Sequence, residues 1–159
     1  MARPAMFLAM LLLLAESAFA QPEIERLLSG SSAPPGVVFE ILEEDENGLA
    51  WALPQIQKLA ERLRGRFPDL PIIVVTHGLE QFGLLTSNTD GPLAGIHDEA
   101  QRLDASEIDL HVCGAHAGWY GHVPEDFPDY IDVAASGPAL INDYRAFGYE
   151  IVRLRQPDS

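Results

Sequence analysis

The stretch Ile108-Asp-Leu-His-Val-Cys-Gly-Ala-His116 carries the clearest sign of the fold, because it reads as a buried strand that leads directly into a helix. Its alternating apolar positions predict a strand over Ile108–Val112, and a short helical turn is predicted to begin at Ala115 or Ala117. Cys113, the one cysteine of the chain, lies at the junction. The sequence therefore predicts a single thiol where a strand ends and a helix begins.

Strands and helices alternate on both sides of this stretch. Further strands are predicted at Val37–Leu42, Ile72–Thr76, Ile131–Ala135 and Tyr149–Leu154. The unbroken β-branched run of the second strand is typical of a strand buried on both faces. This alternation predicts an α/β fold, a three-layer α/β/α domain around a mostly parallel five-stranded sheet. It does not determine the order of the strands.

Three helices are expected between these strands. The first has an apolar stripe from Leu49 to Leu63, and Pro54 should either kink it or mark its first turn. Asp90 is expected to cap the second helix, in which His97 is expected to be packed or half-exposed. Ser136 is expected to cap the third. The buried face of that third helix is predicted to comprise Leu140, Tyr144 and Phe147.

The first 20 residues have the three parts of a secretory signal peptide. Arg3 supplies a positive start, Met6–Ala15 is an uninterrupted apolar run, and Ala18-Phe19-Ala20 matches a cleavage site. The run is about half of the ~20 residues that a bilayer requires, so a membrane anchor is the weaker interpretation. Cleavage after Ala20 is expected to leave a periplasmic or secreted protein that has no membrane contact.

The expected domain organisation follows from composition. Residues 1–20 form the signal peptide, and residues 21–36 are interpreted as a leader and linker in which Glu23 to Leu28 form one or two helical turns. Residues 37–155 are expected to form one α/β domain of about the commonest size.

Charge and motif content exclude several classes of function. The net charge of −14 argues against a general phosphate-binding surface for nucleic acid. No glycine-rich phosphate loop with its Lys-Ser/Thr, no G-x-S-x-G elbow and no C-x-x-C pair occurs in the sequence. No cofactor is implied by any motif.

The single cysteine has two interpretations. In an oxidising compartment it cannot be half of an internal disulfide, so it is either packing or a thiol kept free for chemistry or for a partner. A helix N-terminus and the nearby His111 and His116 would favour the thiolate, and His77, which follows the second predicted strand, is expected to come near in space at the carboxyl edge of the sheet. A thiolate can attack a sulfane sulfur and hold it as a persulfide. The alternative is that Cys113 is a buried small hydrophobe.

A metal site is a further alternative. His111, Cys113, His116 and His122 supply nitrogen and sulfur ligands that could bind zinc or copper, although their spacing matches no standard zinc pattern. Trp119 and Tyr120 either line a pocket or partner surface or pack in the core.

Four short motifs, taken in order, resemble those of a known family. A strand ends in Val112-Cys-Gly114, a helix begins with Ser136-Gly-Pro-Ala-Leu-Ile141, Gly148-Tyr149 precedes the last strand, and His77-Gly78 ends the second strand. Over residues 37–154 this arrangement resembles the DsrE/DsrF-like family. The resemblance implies a five-stranded parallel α/β/α fold and assembly as a homotrimer or hexamer.

The resemblance also implies a role for the cysteine. The best-understood members of that family are sulfur-relay proteins that carry persulfide sulfur on a cysteine at this strand end, which corresponds to Cys113. The His-Gly pair corresponds to His77 and Gly78, with no role implied. Those relay proteins are cytoplasmic, so the export signal places their partners out of reach of this chain.

Three functions therefore remain open. The first is a periplasmic sulfur-binding or sulfur-transfer protein with Cys113 as carrier, His77 and His116 as helpers, and a periplasmic sulfur donor or acceptor as partner. The second is a non-catalytic oligomeric binding module with a buried cysteine, and the third is a small metal-binding protein. Aromatic residues are expected at the interface of the homo-oligomer. They are Trp119, Tyr120, Phe127 and Tyr130.

Overall fold

The structure, a computed structural model, describes residues 21 to 156 of the chain. The predicted signal peptide lies outside these residues. Within them, no helix has both the length and the apolar character needed to cross a bilayer.

Five parallel strands form the centre of the domain. They are β1 (Val37–Ile41), β2 (Ile72–Thr76), β3 (Ile108–Cys113), β4 (Asp132–Ala134) and β5 (Glu150–Leu154). Their order across the sheet is β4-β3-β2-β1-β5, and every neighbouring pair is parallel. The α/β fold class and the parallel five-stranded sheet predicted from the sequence are confirmed.

The helices connect the strands and cover both faces of the sheet. They are α1 (Gln21–Ser29), α2 (Gly48–Arg66), α3 (Ala94–Ala105), α4 (Gly114–Trp119) and α5 (Gly137–Ala146). Short 3₁₀ turns occupy Leu79–Leu84, Thr86–Asn88 and Pro124–Asp126.

The two faces of the sheet carry unequal layers. Since side chains alternate along a strand, Phe39, Val74 and Leu110 point to the face that α1, α2 and α3 cover, where the larger core lies. The opposite face carries Val38, Ile73 and Val75, which pack against Ile141 of α5. His77 and Cys113 follow the same alternation and therefore belong to the α5 face.

Helix α1 is part of the domain, whereas its residues were expected to be a leader. Ile24 and Leu27, one turn apart, are buried in the core beside α2. Glu25 adds an ion pair with Arg62, with 2.7 Å between carboxylate and guanidinium. The packed domain of the described residues therefore begins at α1 and not near Val37, because the short apolar stripe of this helix finds a partner only in the folded chain.

Element boundaries differ from expectation at three other points. Pro54 lies inside α2, which begins at Gly48, so it does not mark the first turn. Leu93 and not Asp90 occupies the N-cap position of α3, and His97 is buried, which is the first of the two environments expected for it. Phe147, expected on the buried face of α5, is 73% exposed because α5 ends at Ala146.

The register of the sheet brings three strand ends to one edge. Ile41, Thr76 and Val112 lie side by side in β1, β2 and β3. The residues that follow them, among them His77 and Cys113, therefore emerge together at the carboxyl edge. In open α/β sheets this edge is the usual place for a binding site.

Candidate functional site

A pocket of about 590 Å³ lies at this carboxyl edge. It is bounded by the ends of β1, β2 and β3, by α4 and by the start of α5. Its lining includes Cys113, His77 and His116, so the structure brings together the three site residues predicted from the sequence. The remaining lining residues are Leu42, Glu43, Glu44, Gly78, Leu79, Ala115, Trp119, Tyr120, Ser136 and Pro138.

Cys113 occupies the junction between β3 and α4. It is 4% exposed and caps α4, its Sγ accepting the backbone N–H of His116 at 3.5 Å. This contact places a backbone hydrogen-bond donor at the sulfur. The thiol is thus nearly covered, yet it forms part of the pocket wall.

The first residue of α5 lies directly over the cysteine and His77. A Cβ atom added to Gly137 would lie 2.9 Å from the Cβ of His77 and 3.3 Å from the Cβ of Cys113. Ser136 caps the helix, its Oγ accepting the N–H of Ala139 at 3.4 Å. Glycine at position 137 therefore lets α5 approach closely enough to hold His77 and Cys113 beside each other.

His77 is paired with a buried carboxylate on the same face of the sheet. Its Nε2 lies 3.0 Å from Oε1 of Glu40, whose other oxygen accepts from Nε of Arg153 at 2.8 Å. Glu40 and Arg153 are register partners in β1 and β5. A carboxylate only accepts hydrogen bonds, so Nε2 of His77 donates and Nδ1 is left to exchange a proton.

The charge of Glu40 is maintained by these two partners. Burial acts to raise the pKa of Glu40, but the hydrogen bonds from His77 and Arg153 together outweigh it, and the pKa lies below its ordinary value. The carboxylate therefore remains ionised at neutral pH and can stabilise a positive charge on His77.

Gln81 fixes the second histidine of the pocket. This fully buried side chain accepts the backbone N–H of Cys113 at Oε1, at 2.8 Å, and its Nε2 lies 2.9 Å from Nδ1 of His116. Since a backbone N–H can only donate, the amide orientation is determined and Nε2 must donate to His116. His116 is therefore the neutral tautomer with its proton on Nε2.

Glu80 joins the loops that follow β1 and β2. Its fully buried carboxylate accepts the N–H of Glu43 at 2.8 Å and that of Gly78 at 3.0 Å, and it also accepts the hydroxyl of Thr76. A Cβ atom at Gly78 would come within 2.3 Å of this carboxylate. The His-Gly pair at the end of β2 thus has a physical reason, because only glycine leaves room for Glu80.

Aromatic rings form one wall of the pocket. Trp119 and Tyr120 are 80% and 57% exposed, so the core-packing interpretation of these two residues is wrong. The His116 ring meets both edge-on, with ring centres 5.6 Å from Trp119 and 5.2 Å from Tyr120.

The structure does not bring together the four residues of the alternative metal site, His111, Cys113, His116 and His122. His111 lies 4.0 Å from Asp132 on the neighbouring strand, and burial lowers the pKa of this histidine. His122 faces Asp126 at 3.3 Å. Among residues 21–156, no group of three or more His, Cys, Asp or Glu side chains is arranged to hold a metal ion.

Two functional residues were missed by sequence reasoning. Glu40 could have been noticed as a charge inside the apolar run of β1, where a buried carboxylate requires a partner. Gln81 follows β2, but nothing in the local sequence indicates that it contacts both Cys113 and His116.

Comparisons with known proteins agree with the fold. No family model and no curated protein matches this chain. Among solved structures, a protein of unknown function, MTH1491 from Methanobacterium thermoautotrophicum, is 22% identical with a TM-score of 0.60, covering 74% of this chain and 97% of its own. The ychN protein from E. coli is 12% identical with a TM-score of 0.57, covering 75% and 99%. The likeness to these two structures shows that this chain shares their α/β fold.

Proposed function

We propose that this protein binds and transfers sulfane sulfur, carried as a persulfide on Cys113. The observation that carries the proposal is the arrangement of Cys113 in the pocket, beside a carboxylate-paired His77 and with an N–H···S hydrogen bond from His116. A thiol, a proton acceptor and hydrogen-bond donors at one cavity are the groups that persulfide exchange requires.

The exchange step balances without an external oxidant. His77 takes the proton of the Cys113 thiol, and the thiolate attacks the terminal sulfur of a donor R–S–SH. A new S–S bond forms on Sγ, the S–S bond of the donor breaks, and R–S⁻ leaves and takes the proton back from His77. The sum is Cys–SH + R–S–SH → Cys–S–SH + R–SH, and delivery to an acceptor is the same step in reverse.

The two histidines have different roles in this scheme. His77 accepts the proton, and the carboxylate of Glu40 stabilises the imidazolium that forms. His116 is held neutral by Gln81, so it acts as a hydrogen-bond donor from Nε2 toward sulfur in the pocket. Glu40 and Gln81 are positioning residues, since each acts through a histidine.

The proposed setting is the periplasm, in a homo-oligomer of three or six copies with a periplasmic donor or acceptor protein. Signal-like residues 1–20 and the family resemblance support this. Two of the four expected interface aromatics are unsuitable, because Phe127 is buried within the domain and Tyr130 hydrogen-bonds His97 at 2.7 Å. Trp119 and Tyr120 remain, and a contact there would place the pocket at a subunit boundary.

Incubation of the native protein with a small persulfide, followed by intact-mass and peptide mass spectrometry, tests the proposal. We expect one added sulfur atom on Cys113 that a reductant removes. Cys113→Ser should keep the fold and gain no sulfur, and His77→Gln should slow the gain. A wild-type protein that acquires no sulfur while remaining folded would overturn the proposal.

A second candidate, a binding module with an inert cysteine, is favoured by the 4% exposure of Cys113. It predicts that a small alkylating reagent modifies Cys113 only after unfolding. The sulfur-carrier proposal predicts modification of the native protein through the pocket, at a rate well above that of global unfolding.

A further inference from the structure

We infer that the pocket selects sulfur carriers whose reactive sulfur lies close to a positive charge. The inference rests on the proposed function and specifies the class of its substrate. It is carried by two independent features of the lining, a wall of carboxylates and a wall of aromatic rings.

The carboxylate wall comes from the loop that follows β1. Residues 43–46 are four consecutive acidic side chains, of which Glu43 and Glu44 line the pocket. Glu44 also lines an adjoining cavity of about 580 Å³ together with Asp45 and Glu46. No Lys or Arg lines either cavity among the described residues, so both cavities have a negative wall.

The negative charge of this loop is not cancelled within the domain. None of the ion pairs found in residues 21–156 involves positions 43–46. Glu43 accepts the backbone N–H of Gln156 at 2.9 Å, and Asp45 accepts that of Asn47 at 2.8 Å. Backbone amides stabilise these carboxylates without removing their net charge.

The loop is anchored at the pocket. The N–H of Glu43 donates to Glu80 at 2.8 Å, and its carbonyl accepts the N–H of Leu79 at 2.9 Å. Glu80 is fully buried, so this connection is shielded from water. The backbone that carries Glu43 and Glu44 is therefore held at the edge of the pocket that these two residues line.

The aromatic wall reinforces the same preference. Trp119 and Tyr120 line the pocket and are largely exposed. The faces of such rings attract ammonium and guanidinium groups. A carboxylate on one side and an indole on another form surroundings that favour a cation and disfavour an anion.

The carboxylate wall and the aromatic wall together determine which sulfur carriers the pocket favours. Small anionic donors such as thiosulfate or inorganic polysulfide are repelled by the carboxylate wall. An aminothiol persulfide, or a cysteine persulfide flanked by Arg or Lys in a partner segment, places a cation where Glu43 and Glu44 lie. Both sources share one chemistry, a sulfane sulfur a few bonds from a positive charge.

The test measures the rate at which Cys113 of the native protein reacts with methanethiosulfonates of similar size and different charge. The probes carry a trimethylammonium, a neutral or a sulfonate group. In each, the thiolate attacks the sulfenyl sulfur, a mixed disulfide forms and methanesulfinate leaves. We expect the cationic probe to react about tenfold faster than the anionic one at low salt, with the ratio falling as salt rises.

Matched variants assign the effect to the loop. Glu43→Gln combined with Glu44→Gln should bring the cation-to-anion rate ratio close to that of the free thiol. Glu107→Gln removes the same kind of charge just before β3, at the opposite edge of the sheet, and should leave the ratio unchanged. A shift in the rate ratio that is the same per carboxylate removed in both variants would overturn the inference, because it would reflect overall charge alone.

Two further outcomes separate this inference from the proposed function. If all three probes react quickly at equal rates, the charge selection is overturned and the sulfur-carrier proposal stands. If none reacts until the protein unfolds, both fail. Transfer from cysteamine persulfide, compared with transfer from an Arg-flanked cysteine persulfide peptide, then distinguishes a small carrier from a partner segment.

Discussion

Gln81 is the residue on which the geometry of the site depends most. It is a neutral side chain, fully buried, and one amide bonds both the backbone of Cys113 and the ring of His116. Removing it would leave a buried N–H without a partner and would free His116 to change tautomer. The network therefore links the position of the thiol to the hydrogen-bonding state of the pocket.

We expect Gln81→Leu to lose the single His116 tautomer. In the wild-type protein, ¹⁵N NMR of the imidazole should show the Nε2–H form, because Nδ1 accepts from Gln81. The variant should show a mixture of tautomers and should be destabilised by about 1–3 kcal/mol, the cost of an unpaired buried donor. A single unchanged tautomer in the variant would contradict the assigned role of the amide.

Glu40 should make stability depend on pH in the acid range. Its pKa is lowered in the folded protein, so the unfolded chain binds a proton more tightly. The stabilisation is present above the ordinary carboxyl value of about 4.3 and is lost as the pH falls through the folded pKa. Glu40→Gln should therefore lower the free energy of unfolding by about 1–3 kcal/mol at neutral pH, because charged hydrogen bonds are lost.

Urea unfolding of the wild-type protein and of Glu40→Gln at several pH values measures how the free energy of unfolding depends on pH. The difference between the two proteins should shrink as the pH falls through the folded pKa of Glu40, because the carboxyl group is then protonated in both the folded and the unfolded chain. A difference that stays constant with pH would mean that Glu40 acts through packing and not through its charge.

Helices α1 and α5 show how elements position the site. Among the helices of residues 21–156, α5 packs on the face of the sheet that carries Cys113. Its N-terminus lies against His77 and Cys113 at Gly137. Helix α1 packs on the opposite face and contributes to the larger core. The site thus depends on the close approach of one helix, while the stability of the sheet is supported from the other side.

Gly137→Ala is expected to displace α5 from the strand ends. The added methyl group would overlap the Cβ of His77, and such overpacking costs about 1–3 kcal/mol. The rate at which Cys113 reacts with a small persulfide should change as well. Gly95→Ala is the matched control, since nothing lies within 4 Å of its Cβ position in α3.

The control should be slightly more stable than wild type, by about 0.5–1 kcal/mol, because alanine is the better helix former. Denaturant unfolding of both variants provides the comparison. Equal stability of the two alanine variants would contradict the close approach at position 137.

Ile24→Ala tests whether α1 belongs to the folded domain. This side chain is fully buried, so its truncation should cost about 2–4 kcal/mol in the free energy of unfolding. Glu23→Ala, at an exposed position of the same helix, should change stability by less than about 0.5 kcal/mol. Similar small effects from both substitutions would support a leader that does not pack.

The whole chain is acidic, and two exposed aromatic residues of the domain lie next to the pocket. The net charge is −14, and Trp119 and Tyr120 lie beside the acidic loop that contains Glu43 and Glu44. The distribution favours a cationic partner at the pocket. It also concentrates the exposed apolar surface where a second copy could bind.

We expect light scattering at micromolar concentration to give the mass of a trimer or a hexamer. Trp119→Ser should weaken the assembly if the aromatic pair forms part of the interface, while Phe147→Ser, at another exposed aromatic beyond α5, serves as the control. A protein that is monomeric throughout this concentration range would contradict the expected assembly.

Local sequence was sufficient to predict the α/β class, the five strands and the meeting of Cys113, His77 and His116. Apolar periodicity marks the strands and helices, and the carboxyl ends of parallel strands share one edge whatever their order. The role of α1 was not predictable, because an apolar pair on a short polar helix packs only when another element offers a surface.

Tertiary structure alone decided the strand order, the pairing of Glu40 with His77 and the contact of Gln81 with both Cys113 and His116. These depend on register between strands that are far apart in the chain, as Glu40 shows by lying beside Arg153 of β5. Sequence periodicity reports whether a residue is buried, but the hydrogen-bond partner of a buried polar group is set by which strands are neighbours.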